Sequence, residues 1–318
     1  MKKLIFIILI LTLLSGCNAN KITELSDTQF LMDTVCTIRV GGAEQETLNT
    51  ALKVAFDKAY EVAEVTDYYS DSSDVTAINN AQANQAVSVS THTISILSAA
   101  LDICEKSQGA FDITIAPLKD LWGFNQGEHT PPSDDEIKSA LSLVDYKKII
   151  VNNEDNTVTK TDTNTKIDLG GCAKGYAEDC VLKVLKSYNV EYALIDFGGS
   201  ILTYGENPSR KDKSWIVGIQ KPFSQNGEIA KTITADNSAV VTSGTYQRYF
   251  EWNNKKYHHI LDTNSGYPTD NSIASASVTH SSALTADCLS TACLVLGNDK
   301  GYELAKKFNA DVIFIFDE

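Results

Sequence analysis

The chain has 318 residues, of which 43% are hydrophobic and 21% are charged. This composition is typical of a packed globular protein and excludes disorder and fibrous repeats. The 41 acidic side chains outnumber the 27 basic ones, which leaves a formal net charge of -14. Because nucleic acids bind to clustered positive charge, we expect no nucleic-acid partner.

Residues 1–16 have the pattern of a secretory signal peptide, in which two lysines precede an apolar run of 11 residues, Leu4 to Leu14. A bilayer-spanning helix needs about 20 residues, so the run is too short for one. Two small residues then precede Cys17, as in a bacterial lipobox, where the cysteine is acylated. We therefore predict a lipoprotein signal, a polar tether over residues 17–27 and membrane attachment through N-terminal lipid alone, on the extracytoplasmic side. An ordinary secretory signal with an incidental cysteine is the alternative.

The first part of the mature chain is predicted to be rich in helix. A strand over Phe30–Val40 leads into Glu44–Asp67, where apolar residues recur at intervals of three and four, as they do in an amphipathic helix. A second helix is predicted over His92–Ser107. A proline pair and an N-cap serine then predict a short helix over Asp135–Val144.

Strands predominate from Tyr146 onward. The pattern predicts an α+β protein with one domain over residues 28–318 and leaves a subdivision near residue 145 open. Helices are predicted at Ala173–Ser187, Leu284–Leu296 and Lys300–Phe308. The predicted strands are Lys148–Val151, Thr157–Thr161, Tyr192–Asp196, Trp215–Gln220, Ile229–Thr234, Ala239–Thr242, Ile273–Thr279 and Val312–Phe316.

Six cysteines follow Cys17, and none is in a CxxC spacing. An even number in an exported chain permits disulfides. Several of the six lie in apolar helix-like or strand-like patterns, where a cysteine behaves as a small hydrophobic residue. The sequence therefore favours buried free thiols over disulfides or a metal cluster.

A glycine pair follows the predicted strand that ends at Asp168. Gly170 and Gly171 precede a helix that begins near Lys174. Glycine lets a backbone approach a ligand closely, and the amides of a helix N-terminus favour an anion. The segment suits a phosphate or pyrophosphate, although it matches neither the Walker pattern nor the dinucleotide fingerprint. From these residues alone, anion binding and a tight turn are equally open.

Asp287 and Thr291 lie four residues apart in a segment predicted to be helical, so they share one face of the helix. A carboxylate and a hydroxyl suit Mg²⁺, which takes few protein ligands and completes its shell with water and substrate phosphates. A helical acid beside a threonine that bonds to its own backbone explains the same residues. Both interpretations stay open at this point.

His258 and His259 precede a strand-like pair, Ile260-Leu261. Histidine at such a place can supply a general base or a donor to phosphate. A polar surface edge explains the two histidines nearly as well.

Taken together, these segments resemble the ApbE family, the FAD:protein FMN transferases, over nearly the whole mature chain. Each match is short, but the matches follow the family order and together are very specific. The matching segments are Met32–Thr34, Ser73–Asp74 with Ile78–Asn79, Gly109–Thr114, Pro117–Leu118, Leu121–Phe124, Asp168–Tyr176, Ile195–Ser200, Val217–Ile219, Thr242–Gly244 with Tyr246, His259–Asp262 and Ala286–Ala292.

The resemblance implies an ApbE-like, T-fold-related α+β architecture, with a helix-rich N-terminal part and a strand-rich C-terminal part around a flavin cleft. It implies a Mg²⁺-dependent transferase that cleaves its substrate FAD, attaches FMN by a phosphoester to a threonine or serine of an acceptor flavoprotein, and releases AMP. The lipoprotein signal implies an extracytoplasmic acceptor. The alternatives are an FAD pyrophosphatase, with water as the nucleophile, and a non-catalytic FAD-binding lipoprotein.

The resemblance also implies the site residues. In the family, Mg²⁺ is held by the aspartate and threonine matching Asp287 and Thr291 and by a backbone carbonyl at the position of Gly171. Ser290 stands where some members have a further acid, and we include it among the metal ligands. FAD contacts in the family match Met32, Tyr69, Ala110, Phe111, Asp112, Asp168, Lys174 and Ile260.

We expect three residues to act in catalysis. Asp287 holds the cation, Lys174 adds a second positive charge, and His259 accepts a proton from the acceptor hydroxyl or positions it. The sequence departs from the family pattern at Asp33, where glycine is most common, and at Ser200, where asparagine is frequent. Both departures bear on flavin affinity rather than on the type of reaction.

Overall fold

The computed structural model describes residues 23–124, 130–224 and 227–317. The predicted signal, Cys17 and most of the predicted tether lie outside these residues. The helices are α1 (Gln45–Thr66), α2 (Asp74–Asn80), α3 (Thr91–Lys106), α4 (Ala116–Trp122), α5 (Asp134–Leu141), α6 (Ala173–Ser187), α7 (Ala283–Leu296) and α8 (Asn298–Lys307). The strands are β1 (Glu24–Leu31), β2 (Thr34–Gly41), β3 (Val87–Ser88), β4 (Ile149–Asn152), β5 (Thr157–Lys160), β6 (Tyr192–Phe197), β7 (Ser200–Tyr204), β8 (Ile216–Gln220), β9 (Ile229–Thr234), β10 (Ala239–Gly244), β11 (Tyr249–Trp252), β12 (Lys255–His258), β13 (Ile273–His280) and β14 (Asp311–Phe316).

An antiparallel sheet of seven strands forms the centre of the fold, in the order β1-β2-β6-β7-β10-β13-β14. The first two strands come from the helix-rich part of the chain, and β2 pairs with β6 from the strand-rich part, with Cys36 opposite Phe197. The α+β class is therefore confirmed. Because one sheet contains strands from both parts, residue 145 does not separate two independent sheets.

Helices α1, α6 and α7 build the main core against this sheet. The apolar face predicted for α1 is buried, with Leu48 and Ala55 fully inaccessible and Phe56 1% exposed. Burial of such a large side chain stabilises the fold by about 1.5–3 kcal/mol relative to exposure. α7 contacts α6, β10 and β13, so it lies at the centre of the packing.

The structure corrects the N-terminal boundary predicted from sequence. Residues Glu24–Asp27, assigned to the tether, form the first half of β1. The strand predicted over Phe30–Val40 is in fact interrupted by a turn at Met32 and Asp33, whose φ angles of 52° and 59° are left-handed. β1 and β2 are the two arms of the resulting hairpin.

The cysteine prediction is confirmed, because all six cysteines of the described residues are free. Cys180 is half-buried, and the others are buried. Burial raises the pKa of the Cys36 thiol to about 12. The Cys36 thiol therefore remains protonated, and the buried cysteines behave as small core side chains.

Candidate functional site

A cavity of about 750 Å³ opens beside the β1–β2 turn, the loop before α6 and the start of α7. Every residue predicted to contact FAD lines this cavity, as do His259 and three of the four residues predicted to hold the metal. The fourth, Ser290, is fully buried and does not line it. The lining residues predicted from sequence are Met32, Tyr69, Ala110, Phe111, Asp112, Asp168, Gly171, Lys174, His259, Ile260, Asp287 and Thr291.

The glycine pair brings the loop backbone to the cavity wall. The Asp168 amide donates a 2.8 Å hydrogen bond to the Ile113 carbonyl, which ties the loop to the helix-rich part. The Gly170 amide then donates to Asp168 Oδ1 at 2.7 Å. A Cβ atom on Gly171 would lie 3.1 Å from the Phe111 ring. Glycine at this position therefore leaves the backbone close to the space available for a ligand.

Helices α6 and α7 meet so closely that one contact requires glycine. A Cβ atom on Gly175 would lie 2.3 Å from the Ala283 carbonyl oxygen. Asp179, one turn further along α6, accepts hydrogen bonds from the amides of Ala283 and Leu284 at 2.8 and 3.1 Å and from Ser282 Oγ at 2.7 Å. A carboxylate at a helix N-terminus is stabilising. The α6 helix thus fixes the first turn of α7.

This junction places Asp287 at the bottom of the cavity, where the residue is 4% exposed. Its Oδ2 atom accepts a 3.1 Å hydrogen bond from the Gly175 amide. The Lys174 ammonium lies 3.5 Å from the same oxygen. The negative charge of Asp287 raises the pKa of Lys174, so the lysine stays charged. On the next turn of α7, Thr291 Oγ1 lies 3.0 Å from Ser243 Oγ.

The donor set fits Mg²⁺. Asp287 and Thr291 offer a carboxylate and a hydroxyl on one face of α7, and the backbone of Gly171 lines the same cavity. All are hard oxygen donors. In the described residues no group of three or more His, Cys, Asp and Glu could hold a metal. The protein would therefore supply few ligands, and water and substrate would supply the others.

Ser290 does not belong to this donor set. Its hydroxyl donates to the Asp287 carbonyl at 2.8 Å and lies 2.7 Å from Ser243 Oγ. Both contacts lie in the core, beneath the cavity. Ser290 precedes Thr291 directly in sequence, but successive residues of a helix point about 100° apart. A neighbour of a metal-binding residue therefore need not face the same cavity.

Two tyrosines and a lysine that was not predicted from the sequence also line the cavity. The Lys119 ammonium lies 3.9 Å from the Tyr68 ring centre and 5.2 Å from that of Tyr69, and it forms an ion pair with Asp168. Tyr68 donates a 2.5 Å hydrogen bond to Asp120 Oδ2. Tyr69 is 64% exposed, which leaves its ring available to a ligand.

Asp112 borders the cavity, but its carboxylate has other partners. It accepts hydrogen bonds from the Thr114 amide and hydroxyl at 2.8 and 2.6 Å, and from the Tyr146 amide at 3.0 Å. Burial raises the pKa of this carboxyl group. Asp112 therefore holds the loop that forms the cavity wall.

His259 has a defined hydrogen bond. Its Nδ1 atom lies 3.2 Å from the Arg248 carbonyl oxygen. A carbonyl can only accept, so Nδ1 carries the proton and Nε2 keeps its lone pair. Burial lowers the pKa of His259 from 6.5 to about 4, so the ring is neutral near pH 7.

The N-terminal segment has a separate match. Residues 1–18 match the prokaryotic membrane lipoprotein lipid attachment site, which includes Cys17. Among the described residues, none of the helices has the length and apolar character to cross a bilayer. The match indicates a membrane protein attached by lipid.

Comparison with known proteins identifies related sequences along most of the chain. Residues 32–316 match the ApbE family model. A protein of Klebsiella pneumoniae (strain 342) named FAD:protein FMN transferase is 35% identical over 244 residues, 76% of this chain and 75% of that protein. One of the same name from Treponema pallidum (strain Nichols) is 30% identical over 309 residues, 93% and 85% of the two chains.

The solved structures extend this agreement to the fold. The ApbE protein of Thermotoga maritima has a TM-score of 0.81 at 29% identity and covers 92% of this chain and 94% of its own. The flavin transferase ApbE of Vibrio cholerae has a TM-score of 0.79 at 26% identity, with coverage of 93% and 94%. The chain therefore belongs to the ApbE family.

Proposed function

We propose that this protein is a Mg²⁺-dependent FAD:protein FMN transferase, which attaches FMN by a phosphoester to a threonine or serine of an acceptor flavoprotein and releases AMP. The observation that carries the proposal is the composition of one cavity. Tyr68 and Tyr69 line the same cavity as Lys174, Asp287 and Thr291. FAD likewise combines an aromatic flavin ring with a charged diphosphate. Relatives with this activity in their names support the proposal.

The reaction transfers the FMN half of FAD through its phosphorus atom. The acceptor hydroxyl oxygen attacks the phosphorus of the FMN half, a new P–O bond forms, and the bond to the AMP phosphate oxygen breaks. Mg²⁺ bound to Asp287 and Thr291 would neutralise charge on the diphosphate and on the departing AMP. Lys174 adds a positive charge to the lining of the same cavity. Charge neutralisation of this kind is the main requirement of phosphoryl transfer.

His259 is the proposed proton acceptor. Its free Nε2 lone pair is the form that a general base requires. The low pKa of the imidazole makes it a weak base in the empty cavity. A bound diphosphate adds negative charge nearby, and such charge raises the pKa of a histidine. Substrate binding therefore brings the pKa of His259 closer to neutral.

The direct test is to mix the protein with FAD, Mg²⁺ and a candidate acceptor and to look for flavin fluorescence that survives denaturing electrophoresis. A covalent fluorescent band supports the transferase. Free FMN and AMP without a band would indicate an FAD pyrophosphatase, in which water is the nucleophile. FAD that is bound but uncleaved would indicate a binding lipoprotein. An acceptor whose threonine or serine is replaced by alanine is the matched control.

We further propose that the enzyme acts on the extracytoplasmic side of the membrane. Acylation of Cys17 would anchor it there by lipid alone. The acceptor flavoprotein would then be an exported or membrane-bound protein with its flavinylation site on the same side. Fractionation of cells followed by protease treatment of intact protoplasts tests this location, because an external enzyme is digested while cytoplasmic proteins survive.

A further inference from the structure

Glu178 is a buried acid that the proposed reaction does not use. The residue is on α6 and is completely buried. Its Oε2 atom accepts a 2.9 Å hydrogen bond from Ser200 Oγ. Its Oε1 atom is also buried and has no hydrogen-bond partner in the described part of the chain. A buried carboxyl oxygen without a partner costs free energy. The cost is explained if Oε1 gains a partner in another state of the molecule.

Lys174 can be that partner. It lies four residues before Glu178, so the two side chains share one face of α6. In the empty site the Lys174 ammonium lies 3.5 Å from Asp287 Oδ2. The ammonium of Lys174 therefore faces one acid, Asp287, and shares a helix face with another, Glu178.

A divalent cation would change this balance. It would bind the carboxylate that Lys174 now faces, and two positive charges at one carboxylate repel each other. The ammonium must then move away from Asp287. Water in the cavity offers one alternative, but Glu178 Oε1 offers a fixed acceptor one helical turn away. That oxygen can accept a hydrogen bond whether its carboxyl group is protonated or ionised.

We propose that Glu178 is a positioning residue that receives the Lys174 ammonium when a divalent cation occupies Asp287. The inference rests on the proposed cation site. In this arrangement Lys174 stays charged and ordered at the edge of the cavity instead of competing for the metal ligand. Ser200, which departs from the frequent asparagine of the family, holds the other oxygen of Glu178 in place.

The test measures cation binding without flavin and without turnover. Mn²⁺ alone is added to the protein, and free Mn²⁺ is quantified by its electron paramagnetic resonance signal. Glu178→Met removes the acceptor at similar size, and we expect about tenfold weaker Mn²⁺ binding, as for other partners behind metal ligands. Ser200→Ala removes the hydrogen bond that holds Oε2 of Glu178, so we expect a smaller loss in the same direction. Glu303→Met is the matched control, because it makes the same substitution at an exposed position of α8, and we expect less than about a twofold change.

A double-mutant cycle separates positioning from simple structural support. In a Lys174→Met background there is no ammonium to place, so Glu178→Met should change Mn²⁺ binding by less than about twofold. An equal loss in both backgrounds would overturn the inference. Near-ultraviolet circular dichroism verifies the fold of each variant. If Glu178→Met does not fold, Glu178→Gln enters the same cycle, with a smaller loss expected in the same direction.

Asp287→Ala distinguishes a failure of the cation site from a failure of the proposed role of Glu178. If this variant binds Mn²⁺ as the parent does, or if the parent binds none, the cation site and the proposed function both fail. If Asp287→Ala abolishes binding while the cycle shows no coupling between Lys174 and Glu178, only the role of Glu178 fails.

Discussion

The ammonium of Lys119 lies 3.9 Å from the centre of the Tyr68 ring. The same ammonium forms an ion pair with Asp168. One positive charge therefore contacts two aromatic rings and pairs with a carboxylate on the cavity wall. The arrangement joins α4 to the loop before α6, two segments far apart in sequence.

We expect Lys119→Met to weaken FAD binding about tenfold, which equals about 1.4 kcal/mol. Without the ammonium, the Asp168 carboxylate would face an anionic substrate without compensation, and like charges in an interface are costly. Quenching of flavin fluorescence during titration measures the affinity. Lys138→Met, at an exposed position of α5, is the control and should bind as the parent does. Parent-like affinity in Lys119→Met would remove this lysine from the flavin site.

Asp287→Asn should reduce Mg²⁺-dependent AMP release at least about a hundredfold, because a neutral amide holds a divalent cation poorly and charge stabilisation dominates phosphoryl transfer. Chromatographic separation of AMP from FAD measures the rate at a series of Mg²⁺ concentrations. FAD affinity without Mg²⁺ is the control, and it should not decrease. An unchanged dependence of AMP release on Mg²⁺ would show that Asp287 does not hold the cation.

Acid should destabilise the protein partly through His259. Burial lowers the pKa of this residue from 6.5 to about 4 in the folded state. Below pH 6.5 the unfolded chain therefore binds a proton that the folded state resists, and the free energy of unfolding decreases as the pH falls from 6.5 towards 4. His259→Asn should lose less stability over this window. Urea unfolding at several pH values measures the difference, and parallel curves for parent and variant would contradict the assignment.

Gly175→Ala should lower the free energy of unfolding by about 2 kcal/mol, as overpacking does in other cores. Its Cβ atom would lie 2.3 Å from the Ala283 carbonyl oxygen, and backbone atoms cannot rotate away as a side chain can. The two helices must separate, which also weakens the hydrogen bond from the Gly175 amide to Asp287. Urea unfolding measures the loss, with Lys183→Ala on the exposed side of α6 as the control. A loss no larger than that of the control would mean that the helices adjust without cost.

Cys17→Ser should release the protein from the membrane, because the serine hydroxyl cannot replace the thiol in lipid attachment and no helix of the described residues could anchor it. Partition into Triton X-114 measures the change, and the variant should move from the detergent phase to the aqueous phase. Retention in the detergent phase would point to another form of attachment.

Local patterns allowed much of the helical fold to be predicted. The core positions of α1 follow from its apolar spacing, since a packed helix must place them on one face. The start of α5 follows from Ser133, whose hydroxyl accepts from the Glu136 amide in a capping box. Both patterns involve residues close together in sequence. The tertiary contacts of α1 and α5 agree with these local preferences.

The polar edge of the sheet could not be predicted in the same way. β1 is an edge strand that pairs only with β2, and its side chains are exposed or half-buried up to Leu31. It therefore has the composition of a linker. β7 and the β11–β12 hairpin were also missed. In the hairpin, five of the eight strand residues are exposed, so the alternation of buried and exposed residues is weak.

Some residues of the candidate site could be predicted from the sequence, and others could not. Gly171, Asp287 and Thr291 lie in short motifs, and the structure brings all three to one cavity. Lys119 forms its ion pair with a residue 49 positions away, and such a contact leaves no local pattern. Only its place between two matching family segments could have drawn attention to it.

The hairpin at the start of the domain limits how far the enzyme can reach. β1 begins at Glu24, seven residues after Cys17, and seven residues of fully extended chain cover at most about 25 Å. The strand adds about 27 Å before the turn at Met32 on the rim of the cavity. Once Cys17 carries lipid, the reacting centre stays within a layer about 50 Å deep above the bilayer. Such a short connection to the membrane raises the local concentration of acceptors that are themselves held at the membrane. It disfavours encounters with proteins that diffuse freely.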